Sequence, residues 1–206
     1  MNVIAVIDFE TSGLMPEAGG RATEVAIVLT EAGRIVDRFQ SLMNSGVWIP
    51  PFITELTGIS NAMLREAPPV AQVMAEAARF VGQLPLVAHN ASFDRKFWQS
   101  ELGRIGLEAA QPFACTVLLA RRLYPQAPNH KLGTLASFHA LPRNGRAHRA
   151  LSDAEVTAEL LLRMQRDLRE QHGIASPDHD FLQALQQCSK AVLPRFLERH
   201  AGTTSH

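Results

Sequence analysis

The sequence predicts an α/β fold, and three observations lead to that prediction. Residues 3–7 form an apolar run rich in β-branched side chains, which is typical of a buried strand. Two further strands are predicted over residues 23–30 and 34–43, and the short connection between them indicates an antiparallel meander. From residue 70 onward, short apolar runs alternate with segments in which apolar residues recur at helical spacing.

Prolines and glycines mark where the other elements begin and end. A short helix is predicted within residues 49–58, where Pro50 permits a helix start and Gly58 a stop. Residues 57–59 are then expected to form an exposed turn. The remaining predicted elements are helices over residues 70–84, 116–124 and 132–139, and short strands over residues 86–89 and 113–115.

Two later helices carry capping signals at their starts. Ser92 is a predicted N-cap for the helix that follows the fourth strand. Ser152 and Glu155 fit the capping-box pattern, in which a serine caps the helix and a glutamate lies three residues on. Asp153 is then the first residue of a helix that continues to Leu168 through an apolar stripe facing the core.

Length and composition limit the classes of protein to consider. A chain of 206 residues with 46% apolar and 19% charged residues is typical of a soluble globular domain. The formal net charge is zero, so a nucleic-acid partner would have to be attracted by local charge. No apolar run approaches the roughly 20 residues of a membrane span, and no basic leader precedes the first apolar stretch. Cys115 and Cys188 lack disulfide or metal-site spacing, which predicts a reducing cytoplasm.

Positive charge is concentrated in one part of the chain. Between Glu108 and Asp153 there is no acidic residue, so this stretch is predicted to hold an anion beside an acidic site. The alternative is that Arg121 and Arg122 lie on outward helix faces and pair with acids elsewhere. The basic residues concerned are Arg121, Arg122, Lys131, Arg143, Arg146 and Arg149.

The first predicted strand ends in two acids separated by one residue. Side chains alternate along a strand, so Asp8 and Glu10 point to the same side. Two like charges at the end of a buried strand repel each other, which is costly unless a cation or a basic partner lies between them. The alternative is that Asp8 caps the strand and Glu10 is solvated.

Two more acids and a histidine stand at similar boundaries. Asp94 lies in a first helical turn at the carboxyl end of a strand, where open α/β sheets bind ligands, although the helix dipole also favours an acid there. Asp153 begins the long helix, and His148 lies five residues before it. The segment around His148, residues 142–151, is a basic loop in which a histidine can also be merely solvated.

These residues fall into three motifs. Asp-x-Glu-Thr-x-Gly begins at residue 8, His-Asn-Ala-x-Phe-Asp at residue 89 and His-x-x-x-x-Asp at residue 148. In this order they resemble the DEDD superfamily of 3′–5′ exonucleases, and more narrowly its DnaQ-like branch, whose third motif carries a histidine. That branch includes the proofreading subunit of bacterial replicative polymerases, ribonuclease T and the oligoribonucleases. The resemblance covers roughly residues 3–168.

The resemblance implies a ribonuclease H-like fold, with a mixed five-stranded sheet of three antiparallel strands and two more, flanked by helices. It also implies an enzyme that hydrolyses phosphodiester bonds at single-stranded or frayed 3′ ends, with DNA favoured, and releases nucleoside 5′-monophosphates. Two Mg²⁺ or Mn²⁺ ions per site would activate the attacking water and stabilise the leaving oxygen. Hard oxygen ligands suit these ions, and no Cys/His cluster indicates structural zinc.

Carried over from the family, each motif residue has an implied role. Asp8 would bridge both ions, and Glu10 and Asp153 would hold the ion on the nucleophile side. Asp94 would reach the second ion through water. His148 would be the general base, because an imidazole titrates near neutrality and its loop can close over substrate.

The implied substrate contacts rest on the same resemblance. Thr11 would contact the terminal nucleotide, and Leu56 and Ile59 would wedge apolar surface against its base. Asn90 and Phe93 would line the same groove. For Leu56 and Phe93 the alternative is ordinary core packing.

Residues 1–170 are predicted to form the exonuclease domain and residues 171–206 a C-terminal helical extension. Within that extension, residues 171–180 are expected to be a linker and residues 181–193 a helix, packed on the domain or binding a partner. Three other hypotheses remain open: a 3′ exoribonuclease, a polymerase-associated proofreading subunit, and a nucleic-acid binding module that has lost catalysis. A homodimer partner is also left open.

Overall fold

The computed structural model describes residues 3–143 and 145–202. Asn144 of the predicted basic loop and the outermost residues of both predicted units therefore lie outside the described residues. The described chain contains a single mixed sheet with helices on both faces. Its strands are β1 (Ile4–Thr11), β2 (Ala22–Glu31), β3 (Arg34–Leu42), β4 (Leu86–Ala88) and β5 (Phe113–Cys115).

The sheet order is β3-β2-β1-β4-β5. The β3-β2-β1 part is antiparallel, whereas β4 and β5 run parallel to β1. This arrangement confirms the predicted mixed five-stranded sheet. The central strand β1 is buried on both faces, because Ile4 and Val6 belong to one apolar cluster and Ala5 and Ile7 to the other.

Helices cover the two faces unequally. α3 and α4 pack on the side of Ala5 and Ile7, and α5 to α8 pack on the side of Ile4 and Val6. The nine α-helices within the described residues are α1 (Pro51–Thr57), α2 (Asn61–Glu66), α3 (Val70–Val81), α4 (Ser92–Arg104), α5 (Thr116–Leu123), α6 (Leu132–Phe138), α7 (Ala150–His172), α8 (His179–Gln187) and α9 (Leu193–His200).

The prediction of an exposed turn after α1 is wrong. The Thr57 hydroxyl donates to the Ile53 carbonyl and accepts the Ile59 N–H, which turns the chain inward. Thr57 and Ile59 are therefore buried, and Ile59 packs in a small cluster with Ile49 and Leu64. The next helix, α2, was not predicted from the sequence, because its six residues are too few to show a period.

Both predicted caps are corrected as well. Ser92 is the first residue of α4 and not its cap, and no side chain caps that helix. α7 begins at Ala150, so Ser152 lies inside the first turn and Asp153 is the fourth residue of the helix. Glu155 forms an ion pair with Arg38 of β3 and does not complete a capping box.

The C-terminal part differs from its prediction in two ways. α7 continues to His172 and ends at Gly173, whose φ of 67° is the left-handed conformation that glycine adopts readily. The predicted helix over residues 181–193 is two helices, α8 and α9, with a break between Gln187 and Leu193. Pro194 lies in the first turn of α9, where a missing N–H costs nothing.

α8 covers the edge of the sheet at β5. The Gln186 side-chain carbonyl accepts the Cys115 N–H at 2.7 Å, and the Gln183 amide donates to the Phe113 carbonyl at 3.2 Å. These two glutamines satisfy backbone groups that an open edge strand would present to solvent. Leu182 of α8 is fully buried in the same cluster as β1. Within the described residues, no helix has both the length and the apolar character needed to cross a bilayer.

Candidate active site

β1 delivers the first two acids to the face that α7 covers. Asp8 and Glu10 alternate with Ile7 and Phe9, whose side chains belong to the opposite cluster. The sequence prediction that the two acids share a side is therefore confirmed. Both lie within β1, which continues to Thr11 with an irregularity between Glu10 and Thr11.

α4 brings Asp94 to the same place from the neighbouring strand. Asp94 is buried in the first turn of α4, and its Oδ1 accepts the Phe9 N–H at 3.2 Å. The peptide that carries this N–H joins Asp8 to Phe9. Asp94 is thus held beside β1 between the positions of Asp8 and Glu10, although it is far from both in sequence.

The start of α7 completes the cluster. Within the described residues, one ligand atom from each of Glu10, His148 and Asp153 can lie within 4.8 Å of one another. The Asp153 Oδ2 accepts the His148 N–H at 3.0 Å. His148 is exposed and has a φ of 61°, a left-handed backbone conformation that is uncommon for a residue other than glycine.

The electrostatics of the inner acids reflect how close they are. Burial raises the pKa of the Asp8 carboxyl well above its ordinary value, and the charges of Asp94, Glu10 and Asp153 raise it further. Burial raises the pKa of Asp94 to about 7, although the hydrogen bond from the Phe9 N–H opposes that change. Acids that raise one another's pKa share one site.

The outer acids show the same effect with local compensation. Burial raises the pKa of Glu10 to about 8, the charges of Asp153 and Glu24 add to this rise, and Arg149 opposes it. Burial also raises the pKa of Asp153, against the hydrogen bond from the His148 N–H. A cation among these carboxylates would favour their ionised forms and bring the pKa values down.

Glu24 is a buried acid that the sequence analysis did not single out. It stands opposite Glu10 in the β1–β2 ladder, has no exposed surface, and accepts hydrogen bonds from Arg149 at 2.8 and 3.1 Å. Its Oε2 also accepts the N–H of Ala150, the first residue of α7, at 3.0 Å. Glu24 thus accepts an N–H at the start of α7, a helix end for which Ser152 was the predicted cap. The sequence signal that could have identified Glu24 is the presence of an acid inside the otherwise apolar strand predicted over residues 23–30.

The arginines of the basic loop bind the protein itself. Arg143 donates to the Gly133 carbonyl and the Ser137 hydroxyl, and Arg146 donates to the Glu55 carbonyl at 2.8 Å. Arg149 binds Glu24 as described above. All three guanidinium groups therefore have protein partners, and that they hold an anion stays a prediction. They hold the His148 loop against α6, α1 and β2.

The two helical arginines of the basic stretch have different surroundings. Arg122 donates to the carbonyls of Cys188 and Leu118, so it pairs with backbone oxygens and not with the acids that the alternative expected. Arg121 is exposed at the end of α5, and Lys131 is exposed just before α6.

The predicted substrate residues differ in their exposure to solvent. Leu56 is about half exposed on α1, and Asn90 is exposed at the end of β4 with a φ of 68°. The buried Thr11 hydroxyl donates to the Gly13 carbonyl at 2.7 Å. Phe93 is half-buried, and its ring lies 5.0 Å from that of a core phenylalanine. Ile59 has no exposed surface, so in this conformation it offers nothing to a base.

A mixed sheet with this order and an acid cluster over its central strand define the ribonuclease H-like exonucleases as the class of protein. A family model described as "Exonuclease" (RNase_T) matches residues 5–161. The chain belongs to that family of exonucleases. The predicted resemblance to the DEDDh, DnaQ-like exonucleases is confirmed.

Individual relatives agree with this assignment. DNA polymerase III subunit epsilon of Aquifex aeolicus is 35% identical over 170 residues, covering 82% of this chain and 83% of the relative. A PolC-type DNA polymerase III of Halalkalibacterium halodurans is 41% identical over 166 residues, covering 80% of this chain but 11% of the polymerase. This chain thus spans only a small part of the PolC-type relatives.

Solved structures give the same fold. Exonuclease X in complex with 5′ overhanging duplex DNA is 32% identical, with a TM-score of 0.66, and covers 79% of this chain and 91% of that chain. The nuclease domain of 3′hExo, a DEDDh family member bound to rAMP, is 22% identical, with a TM-score of 0.68, and covers 80% of this chain and 92% of that chain. The latter similarity supports the fold.

Proposed function

We propose that this chain removes nucleoside 5′-monophosphates one at a time from single-stranded or frayed 3′ ends, with DNA as the favoured substrate. The observation that carries the proposal is the convergence of acids from β1, α4 and α7 beside an exposed imidazole. The side chains concerned are Asp8, Glu10, Asp94, Asp153 and His148.

The donor set fits two hard divalent cations, Mg²⁺ or Mn²⁺. All four acids supply oxygen ligands. Burial raises the pKa of each, and repulsion by neighbouring acids raises those of Asp8 and Glu10 further, which is the environment that a bound cation relieves. Asp8, Glu10 and Asp153 would hold the ions directly, and Asp94 would do so through water. When bound, the ions would activate the attacking water and neutralise charge on the phosphate.

His148 is proposed as the general base. Its imidazole is exposed to an incoming water, and its ring can lie within 4.8 Å of the Glu10 and Asp153 carboxylates. The hydrogen bond from its own N–H to Asp153 fixes the backbone from which the ring projects. The ring would accept the proton of the attacking water, since histidine is the side chain that most often serves as a general base.

The terminal nucleotide is proposed to bind beside α1. Leu56 offers apolar surface for a base there, and Asn90 and Phe93 would line the groove near Asp94, with Thr11 at the end of β1. Ile59 would support α1 from beneath and not contact the base. Stacking on apolar surface does not distinguish bases, so cleavage should be largely indifferent to sequence.

Two relatives named as DNA polymerase III proteins favour DNA, and they also support association with a polymerase. A homodimer partner and a cytoplasmic location stay predictions. We further propose that residues 1–170 form the catalytic unit and residues 171–206 an extension of it.

The experiment is incubation of end-labelled single-stranded DNA and RNA oligomers with Mg²⁺, with Mn²⁺ or with a chelator, followed by product sizing. We expect 5′-mononucleotides in the presence of metal, faster from DNA, and no product with the chelator or from Asp8→Asn. Release of internal fragments would contradict the exonuclease proposal, and faster cleavage of RNA would contradict the DNA preference. Binding without cleavage would favour a module without catalysis.

A further inference from the structure

A groove lies beside the proposed active site and is not used by the chemistry described above. Its lining comes from the end of β4, from α5 and from the segment before α6. We call it the basic groove, and its main lining residues are Asn90, Val117, Arg121, His130, Lys131 and Leu132.

The basic groove continues directly into the active-site cleft. Lys131 and Leu132 line both the groove and a neighbouring cleft whose other walls include His148 and Asp153. At its other side the groove reaches Asn90, which lies four residues before Asp94. A strand lying in the groove would therefore pass close to the proposed metal site.

The charge of the groove suits a polyanion. None of the residues that line it, all within the described part of the chain, is acidic. Arg121 and Lys131 are exposed, and among the described residues neither forms an ion pair with a carboxylate. The loop arginines differ, because their guanidinium groups already bind Glu24 and main-chain carbonyls.

The His148 loop lies between α1 and the α6 end of this groove, and Asn90 lines both the groove and the proposed nucleotide site. Arg146 ties the loop to α1, where Leu56 is exposed, and Arg143 ties it to α6, at the edge of the groove. If the last nucleotide of a 3′ end lies beside α1 and its scissile phosphate lies at the acids, the nucleotides on the 5′ side pass the His148 loop on the side of α6. The rest of the strand then meets Lys131 first and Arg121 next.

We propose that the basic groove binds the phosphodiester backbone of the substrate strand on the 5′ side of the scissile bond. This inference rests on the proposed exonuclease function. Lys131 and Arg121 bind successive phosphates, and Val117 and Leu132 give the groove an apolar floor. Because these contacts are to the backbone, they add affinity for long strands without regard to sequence.

The test compares Arg121→Glu/Lys131→Glu with Arg34→Glu/Lys190→Glu, a control that makes the same charge change at exposed positions outside the groove. Two substrates are used: a 15-nucleotide single-stranded DNA, and the p-nitrophenyl ester of thymidine 5′-monophosphate, which has no strand on the 5′ side. We expect kcat/KM for the oligomer to fall by about tenfold or more at 0.1 M salt in the groove variant only. Hydrolysis of the ester should fall far less than hydrolysis of the oligomer, since the ester has no backbone on the 5′ side for the groove to bind.

Salt dependence gives a second readout that a general loss of structure would not mimic. Binding of the oligomer is followed by fluorescence anisotropy with Ca²⁺ in place of Mg²⁺, so that it does not depend on turnover. The slope of log Kd against log salt should decrease by about 1.4 in the groove variant, because each lost contact to a single strand contributes about 0.7.

The outcomes separate this inference from the proposed function. Unchanged oligomer binding and kcat/KM in the groove variant would overturn the inference, and so would an equal loss on the oligomer and the ester. A wild-type protein that cleaves neither substrate with Mg²⁺ or Mn²⁺ would overturn the proposed function, while the anisotropy measurement would still decide whether the groove binds the strand.

Discussion

At the scale of single residues, His148 combines an exposed ring with a constrained backbone. Its φ of 61° and its N–H bond to Asp153 fix where the ring begins, while the ring itself is free of the core. We expect His148→Ala to lose about 10² to 10⁴ in kcat, the usual contribution of a general base. The thermal shift on adding Mn²⁺ should remain, because the four acids are unchanged.

The matched comparison for His148→Ala is Asp153→Ala, which should lose both activity and the Mn²⁺-induced thermal shift. A His148→Ala enzyme that turns over at nearly the wild-type rate would remove the proposed role. A variant that also loses the metal-induced shift would indicate that His148 is a ligand and not only a base.

Glu24 shows how a buried acid can position a site. It receives Arg149 and the N–H of Ala150, and Asp153 and His148 are placed by the helix start that these bonds hold. We expect Glu24→Ala to lower the free energy of unfolding by about 2 to 4 kcal/mol, because a buried ion pair and a helix-end hydrogen bond are lost together. Urea unfolding measures this change.

Glu31→Ala, at the exposed end of the same strand, is the control and should change the free energy of unfolding by less than about 0.5 kcal/mol. In Glu24→Gln one oxygen can still accept the Ala150 N–H, so that variant should be more stable than Glu24→Ala. Equal stability of the Glu24 and Glu31 alanine variants would show that the buried pair contributes nothing.

At the scale of elements, the loop before α7 is held by arginines and not by regular structure. Arg146 makes one bond to the exposed carbonyl of Glu55, which is worth about 1 kcal/mol or less. Arg146→Ala should therefore lower stability little. Its kcat should nevertheless fall by about tenfold, because His148 would lose a fixed position relative to the bound phosphate.

Thermal unfolding and steady-state kinetics on the oligomer check the Arg146 prediction together. Arg166→Ala, on an exposed face of α7, serves as the control and should leave both quantities unchanged. If Arg146→Ala retains wild-type kcat, the loop does not depend on its contact with α1.

α8 also acts at the scale of an element, because it closes the sheet edge and completes a core. Leu182 and Leu185 are fully buried, and burial of one leucine side chain is worth about 1.5 to 3 kcal/mol. Truncation after residue 172 should therefore destabilise the domain by several kcal/mol, a large part of the usual stability of such a fold. Truncation after residue 192 keeps α8 and should be milder. An unchanged urea midpoint after truncation at residue 172 would show that α8 contributes nothing to the stability of the domain.

At the scale of the whole molecule, the acid cluster couples folding to pH and to metal. In the metal-free protein the pKa of Glu10 is raised to about 8 and that of Asp94 to about 7. The unfolded chain releases these protons near the ordinary values, about 4 to 4.5. Between these limits the folded state binds more protons than the unfolded state, so stability falls as pH rises from about 4.5 to about 8.

The expected slope can be isolated with a variant. In chelator, the free energy of unfolding of wild type should fall with pH more steeply than that of Glu10→Gln, by up to about 1.4 kcal/mol per pH unit. Glu31→Gln should behave as wild type. Addition of Mg²⁺ should stabilise wild type more at pH 8 than at pH 5, because the ions require ionised ligands. Identical slopes for wild type and Glu10→Gln would contradict the raised pKa.

Local pattern predicted most of the elements because each depends on residues near in sequence. The apolar run before Asp8, the helical period of α3 and the prolines around it are all visible within short windows. The exceptions were the short α2, the turn at Ile59 and the break before α9. In these places a side-chain hydrogen bond or a tertiary contact determines the backbone conformation, and the periodicity of apolar residues does not.

By themselves, the order and spacing of the motifs determined the family, the sheet and the candidate acids. The motif residues stand at the ends of helices and strands, and local sequence pattern reveals those ends. Only the tertiary structure decided what holds the acids in place. Glu24 lies 125 residues from Arg149, and Arg146 lies 91 residues from Glu55, and no local pattern shows such a pair. Burial of a charged group fixes its partner through the cost of leaving it unpaired, and that cost exists only once the chain has folded.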